Sequence, residues 1–420
     1  MKIIIIGAGL LGSASACFLS SAGHEVIVLE RQPVAGKETS YANAGMIHPS
    51  QAGPWNQPGI LGSLLRWIGR EDSPLLLRPG AVFSLLGWGP RFILNSSPRH
   101  FREHLRHNTV LADYSLRVMK EFARDHTIGY DATDCGTLKF YETEQDFEHD
   151  SWLNDLYREA GVEFKIYRRD EVVQLEPALS DFSARIVAAI HYPDDESGDA
   201  HRYCQALADM AGHSGAVFHY GIEVLGFESS GDYISAVSTT RGRYEADAYL
   251  LAAGSYSPVI AGSTGLKLPV RPVKGYSVTF DINGWDQGPR MPVVDESAHM
   301  AVTPLGQRLR VAGTAEFSGY NTDLRPGRIE NMTHFIRKIY PGFLPFMNMD
   351  EATPWAGLRP YTCDGMPLLG CTPIPNLYLN TGHGHLGWSM AMGSGKLVTD
   401  LLSGNETDID ISPYELARFL

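Results

Sequence analysis

The chain has 420 residues, and 35 Lys+Arg against 48 Asp+Glu leave a net charge of −13. That length exceeds one small domain, and 44% apolar with 20% charged residues excludes a mostly disordered chain. The acidic balance opposes nonspecific grip on nucleic acid. The five cysteines (Cys17, Cys135, Cys204, Cys363, Cys371) are scattered without a CxxC pair. They point to no metal site and no disulfide framework, and to a reduced, cytoplasmic setting. The opening apolar run breaks at once into glycines, unlike a signal peptide. Glycine, proline and charge interrupt every candidate membrane span.

In chain order, Lys2 to Ile6 reads as a strand buried on both faces, Ser13 to Ala22 as a helix, and Glu25 to Leu29 as a second strand ending at Glu30. Residues 36–60 read as loop. Ile60 to Leu94 crowds Leu, Trp and Phe with Arg66, Arg70, Arg78 and Arg91. That pattern suits either a membrane interface or helices covering a site. Residues 99–126 predict an exposed helix, Gly136 to Tyr141 a strand, Glu144 to Ala160 one helix stopped by Gly161, and His201 to Ala211 another. Val217 to His219, Ile222 to Glu228, Ile234 to Thr240 and Ala248 to Ala252 follow as strands. Val270 to Ile282 reads as a strand broken at Gly275, Leu309 to Ala312 as a short strand, and Arg328 to Ile339 as a helix. The chain closes with a strand at Leu377 to Asn380 and a helix at Ser389 to Leu402. No repeat or linker is visible, which predicts interleaved domains.

Gly7, Gly9 and Gly12 form GxGxxG between strand and helix, and Glu30 follows Gly12 by eighteen residues. The glycines permit the tight turn, the approach of a pyrophosphate and close helix packing; the distal acid accepts ribose hydroxyls. The motif alone does not separate FAD from NAD, and Glu30 disfavours NADP. A second strand and glycine turn, Leu377 to Trp388, and the small-residue turn Ala253-Gly254 after Leu250 to Ala252 offer further close backbone approaches. Elements at both chain ends fit a long dinucleotide.

Several stretches then converge. They are Thr39-Ser40-Tyr41-Ala42-Asn43-Ala44-Gly45, Pro54-Trp55-Asn56-Gln57-Pro58-Gly59, Leu268 to Ser277, Trp355 to Pro360 with Asp364, Gly365 and Pro367, and Asn380 to Trp388. Together they resemble the FAD-dependent amino-acid and amine oxidoreductases of the D-amino-acid oxidase superfamily, and within it the bacterial D-amino acid dehydrogenases in their small, flavin-carrying subunit. The likeness covers nearly the whole chain. It implies an α/β fold: a Rossmann-like FAD-binding domain interleaved with an α+β substrate domain on a mixed or antiparallel sheet, as in D-amino-acid oxidase and glycine oxidase. The expected division is 1–85, 160–262 and 345–420 for FAD, with 86–159 and 263–344 for substrate.

Residue roles follow from the resemblance. Gly7, Gly9, Gly12 and Glu30 would hold the ADP half of FAD, with Arg31 beside them. Val224 would meet the adenine through its backbone, and Ala253 and Gly254 would approach the nucleotide. Ser40, Asn43, Ala44 and Gly45 would lie near the ribityl chain and the isoalloxazine ring. Gly382, His383, Gly384 and Leu386 would offer backbone contacts to the pyrimidine edge. Arg359 would bind the substrate carboxylate, with Tyr276 a second substrate contact. His385 stands where a small residue such as Thr is expected, and His48 and Met46 are further candidates for the pocket wall. The frame that carries a flavin-linked cysteine in some amine oxidases, C-x-Y-T, reads Arg359-Pro360-Tyr361-Thr362 here, so noncovalent FAD is expected. Arg359 also has its own argument: a guanidinium pairs bidentately with carboxylate, unless Asp364 claims it as a structural partner.

The implied activity is oxidative deamination of D-amino acids to 2-oxo acids and ammonia, by hydride transfer to flavin N5. Electrons would pass to a quinone or respiratory-chain acceptor. The expected setting is cytoplasmic, with peripheral contact on the cytoplasmic face of the inner membrane as an extension of it. Three alternatives stay open: an oxygen-using glycine or sarcosine oxidase or a hydroxyproline dehydrogenase, a non-catalytic flavin relay subunit, and an NAD-dependent enzyme.

Overall fold

The computed structural model describes residues 1–67, 71, 73 and 75–420, with only the backbone of Ser63, Leu65, Arg66, Trp67 and Pro79. Of the apolar, arginine-bearing stretch, Ile68 and Arg70 lie outside the described residues, as do the side chains of Leu65, Arg66 and Trp67. Two large sheets organise the chain.

The first sheet has six strands in the order 368–371, 377–381, 248–251, 2–6, 25–30, 217–220. The strand Lys2–Ile6 is central, pairing in parallel with Glu25–Glu30 and Ala248–Leu251. Ile3, Ile4, Ile5 and Ile6 are all buried because both faces are covered. Helices Leu10–Ser21, Ala200–His213, Ala391–Leu402 and Pro98–Asp125 form one layer. A three-stranded antiparallel sheet (224–230, 233–239, 242–244) lies against the other face.

The second sheet has nine strands. Eight run 353–362, 270–281, 308–317, 300–305, 293–295, 137–141, 188–192, 165–168, and Leu75–Leu77 pairs with Arg308–Phe317. Its pairing is mostly antiparallel, and the helix Pro326–Ile339 packs into its apolar core. The α/β architecture with mixed sheets is therefore as expected.

Sheet membership does not follow the expected division of the chain. Lys165–Arg168 and Ala188–Tyr192 pair with Thr137–Tyr141 in the nine-stranded sheet, although 160–262 was expected beside the cofactor. Thr353–Thr362 joins that sheet too, although it falls within 345–420. Pro98–Asp125 instead packs on Ala391–Leu402. Pairing across long separations decided these places, and local composition carries no record of it. Two further local expectations change. The expected helix from Glu144 to Ala160 is two helices, Glu144–His149 and Ser151–Glu159. Val270–Asp281 is one strand through Gly275, and the expected break survives only as a shift of register against Arg308–Phe317 between Lys274 and Tyr276.

A short segment bearing His48 and Gln51 is tied to the body by a buried carboxyl. Ser50 and Thr137 hydroxyls each donate to Asp195 Oδ2 at 2.5 Å, and Ser50 N–H reaches Oδ1 at 3.4 Å. Burial pushes this carboxyl up to about 7, against those hydrogen bonds. An acid whose folded pKa is raised favours the folded state most below its unfolded pKa of about 3.9. That contribution is lost as pH rises through the folded value. Relative to Asp195→Asn, the native protein should therefore lose up to about 1.4 kcal/mol of stability per pH unit between roughly pH 4 and 7. Denaturant titrations of both proteins across that window check it; parallel stability curves would refute it.

Candidate active site

One cavity of about 1380 Å³ lies between the sheets, lined from Gly9 and Glu30 at one end to Arg359 at another. It exceeds the ~300–1,000 Å³ of an ordinary small-molecule pocket.

The nucleotide end starts at the first βαβ turn. Gly7 has φ +101°, and a Cβ on Gly12 would lie 1.9 Å from the Gly7 carbonyl oxygen, so neither position accepts a side chain. The helix Leu10–Ser21 begins at Gly9, which brings no side-chain cap. Leu10 N–H donates to Ser40 Oγ at 3.1 Å. Leu11 lines the cavity, and its amide has no hydrogen-bond partner among the described residues. Free amides at a helix N-terminus are what a pyrophosphate takes. Glu30 accepts from Ala8 N–H (2.7 Å) and Gln32 N–H (2.8 Å), which fixes its carboxyl at the cavity wall; burial pushes its pKa up. Arg31 is paired with Glu38 at 2.6 Å and lies over the Tyr256 ring. Ser40, Asn43, Ala44, Val224, Ala253 and Gly254 line the same cavity.

Four expected cofactor residues do not line it. Gly12 sits behind the turn as a packing glycine. Gly45 donates to Asn43 Oδ1 and accepts from Gly198 N–H, so both its backbone groups are used. A Cβ on Gly382 would face Thr362, Leu368 and Val270 rather than the cavity. Leu386 is in the core, and its N–H is spent on the His383 carbonyl. Gly384 does line the cavity, but its N–H donates to the Pro360 carbonyl. In this turn the amides of His385 and Gly387 have no partner among the described residues, which the glycine count alone did not reveal.

Arg359 anchors the other end. Its strand, Thr353–Thr362, pairs with Val270–Asp281 so that Gly357 faces Gly275. A Cβ on Gly275 would fall 2.4 Å from Arg359 Cζ, and one on Gly357 would fall 2.1 Å from the Trp355 ring. The two glycines thus leave slots in which these side chains lie across the sheet. Arg359 Nη1 donates to the Thr314 carbonyl at 2.9 Å, and Cζ lies 5.4 Å from the Trp55 ring centroid. Thr314 holds φ +54°, a strained value for a β-branched residue. No carboxylate pairs with Arg359 among the described residues; Asp364 is taken by Arg418 at 2.7 Å. Burial pushes the guanidinium down to about 10, so it stays charged at neutral pH.

Tyr276 lines the cavity, but its hydroxyl donates to buried Glu316 at 2.8 Å, which also holds Lys274 (3.4 Å) and Arg78 (3.1 Å). His385 stacks on Trp55 with centroids 5.2 Å apart, and burial lowers it to about 3. Burial likewise lowers His48 to about 4 and His383 to about 3, so all three are neutral. His383 turns its Nε2 to Ser394 Oγ at 3.0 Å. Met46 also lines the cavity. Trp55, Gly275 and Thr314 were not predicted as site residues; a glycine inside a long strand was the available signal.

A long cavity with free amides and the Glu30 carboxyl at one end, and at the other a cation with no acid among the described residues, suits an enzyme that holds a dinucleotide against an anionic substrate. A profile for FAD dependent oxidoreductases matches residues 2–401, and the chain belongs to that family. It is 40% identical over 420 residues to a D-amino acid dehydrogenase of Paramagnetospirillum magneticum, covering 100% of this chain and 99% of the relative. It is 39% identical to one of Allorhizobium ampelinum, with 100% and 99% covered. Among solved structures, glycine oxidase from Geobacillus kaustophilus matches with TM-score 0.78 at 23% identity, covering 100% of this chain and 99% of that one. L-proline dehydrogenase from P. horikoshii matches with TM-score 0.75 at 19% identity, covering 100% and 97%. These two share the fold. The protein is an FAD-dependent enzyme, and the orphan amides and glycine cradle fit that cofactor.

The glycine slot under Arg359 yields a test. In Gly275→Ala the methyl group meets the far end of a flexible side chain, so the guanidinium shifts while the strand remains. The melting temperature should stay within a few degrees, and KM for substrate should rise about tenfold, the worth of one weakened charge-assisted contact. Steady-state kinetics with thermal melts check it; an unchanged KM would refute it.

Proposed function

We propose that the chain catalyses FAD-dependent oxidative deamination of D-amino acids to 2-oxo acids and ammonia. The observation that carries this reading is Arg359: a guanidinium charged at neutral pH and held in the cavity with no acid of its own among the described residues. An α-carboxylate completes it, and the fixed fork of donors sets the orientation of the α-carbon. FAD, when bound, supplies the acceptance of the hydride and its two electrons. The protein supplies placement. Trp55, Tyr361 and neutral His385 wall the anchor with flat rings that exclude water and bring no rival charge. The substrate amine must be unprotonated, so that its lone pair assists departure of the α-hydrogen. The imino acid then hydrolyses in water. No cysteine lines the cavity among the described residues, which argues against a cysteinyl link to the flavin.

For the acceptor we favour a membrane quinone. Residues 60–94 support it in two ways. Their inner side, including Ile60, Leu64, Leu77, Trp88 and Phe92, lines an apolar limb of the same cavity. Their outer side exposes Phe83 (82%), Leu94 (71%) and Leu86 (65%), an apolar face suited to a lipid surface. No helix among the described residues is long and apolar enough to cross a membrane, so contact would be at the interface.

Two experiments test the reading. Anaerobic addition of D-amino acids should bleach the flavin band, and Arg359→Ala should lower kcat/KM by roughly a hundredfold or more, the cost of truncating a buried charge pair. If L-amino acids, sarcosine or glycine bleach it instead, the substrate assignment fails; rapid reoxidation by oxygen would make it an oxidase. Separately, Phe83→Ser with Leu86→Ser and Leu94→Ser should weaken flotation with phosphatidylglycerol vesicles about tenfold. Equal flotation would remove the membrane contact.

A further inference from the structure

The cavity has a second charged end, away from Arg359. Lys139, on the strand Thr137–Tyr141, is buried, with Nζ 2.9 Å from Asp150 Oδ2 and 3.3 Å from Glu296 Oε2. One ammonium against two carboxylates leaves this triad with a surplus negative charge. Asp150 takes a further hydrogen bond from the Tyr141 hydroxyl at 3.2 Å. Glu296 is the most exposed of the three side chains, at 32%, and lines the cavity. Burial pushes its carboxyl up, but the Lys139 ammonium and the His299 imidazole outweigh this and hold it below the usual range. Asp146 and Glu142 line the same end, and Glu142 is matched by Lys338 and Arg185. The local field is therefore negative, where the Arg359 end is positive.

Between the two ends stand His48 and His385. Each leaves its Nδ1 without a hydrogen-bond partner, and His48 is only 6% exposed. Both are neutral, so they separate the charges without neutralising either. Across the sheet, Arg359 and Glu296 are four strand steps apart, through 270–281, 308–317, 300–305 and 293–295. At ~4.8 Å per step that is about 19 Å between backbones. Both residues line the same cavity, and His385 lies close enough to feel the charge of Arg359 and of Glu296 alike, so an extended solute running past that imidazole approaches both. The polarity of the gap selects a solute with a carboxylate at one end and a cation at the other.

We propose that Glu296 forms a distal subsite for the cationic end of a basic D-amino acid of lysine or arginine length. This rests on the deamination reading above. Glu296 is then a specificity-determining residue: it discriminates between side chains and takes no part in the redox step. Neutral D-amino acids of the same length lack its contribution and leave a charged carboxylate poorly solvated.

D-arginine and D-citrulline differ in this charge at nearly constant shape. In the FAD-loaded enzyme, anaerobic stopped-flow reduction should favour D-arginine about tenfold or more in the ratio of rate to dissociation constant. Glu296→Gln should reduce that preference about tenfold, and Glu296→Asp should restore part of it. A second readout needs no turnover: 5-guanidinopentanoate, which lacks the α-amine, should bind more tightly than pentanoate by calorimetry, and only its advantage should shrink in Glu296→Gln. A native enzyme that does not distinguish the two substrates, or a preference unmoved by Glu296→Gln in a protein with a normal melt, overturns the proposal. Bleaching by D-citrulline or D-alanine with no preference for D-arginine sinks the subsite alone. Absence of bleaching by every D-amino acid sinks the deamination reading with it.

Discussion

A half-buried cation, Arg359, with no acid paired to it among the described residues is the constraint around which this cavity is built. Desolvating a guanidinium is costly, and proteins ordinarily repay that with a carboxylate close by. Here the nearest sequence candidate, Asp364, is drawn off by Arg418, and Arg359 keeps only one backbone carbonyl and the face of Trp55. Much of the local architecture follows from making room for it. Gly275 and Gly357 face each other across two strands, and the carbonyl that receives Nη1 comes from a threonine in the left-handed region. Strain and missing side chains are concentrated around this cation.

The rest of the molecule encloses a long cavity that runs from that cation to the glycine turn of the first βαβ unit. The six-stranded sheet presents its glycine turn and Glu30 at one end of the cavity, and the nine-stranded sheet presents Arg359, Tyr276 and Glu296 along another wall. Neither sheet alone encloses the space. The segments between them serve as its remaining walls: residues 48–55, the turn 382–388, and described residues of the apolar stretch, among them Ile60, Leu64, Leu77 and Trp88. Three neutral histidines line this space, and their neutrality is a consequence of burial. These three add no charge of their own between Arg359 and the acids at the far end of the cavity.

Legibility differed between kinds of feature. The first βαβ unit was readable because strand, glycines, helix and acid are contiguous, and each glycine has a local reason. Arg359 was readable as a carboxylate ligand only against the alternative of Asp364, and the sequence could not choose between them. The break expected at Gly275 is real on one side only: the ladder slips against Arg308–Phe317 there but runs unbroken against Thr353–Thr362. Leu386 and Gly382 sit within a motif of glycines and histidines, yet face away from the cavity. In such a turn the direction of each amide depends on φ and ψ, which composition does not report. Glu296 carried no signal at all, since its meaning comes from Lys139, more than 150 positions earlier.

What the sequence determined by itself is the dinucleotide motif, the α/β class and the presence of a candidate carboxylate anchor, because these depend on short-range pattern and on single residue types. What the tertiary structure decided is which strands share a sheet, which amides remain free, which acid leaves Arg359 unpaired, and where the second charged end of the cavity lies. The reason is physical. Hydrogen-bond satisfaction and ion pairing are settled between groups that meet only when distant segments pack, and a charged side chain acquires its role from the partner it has or lacks there.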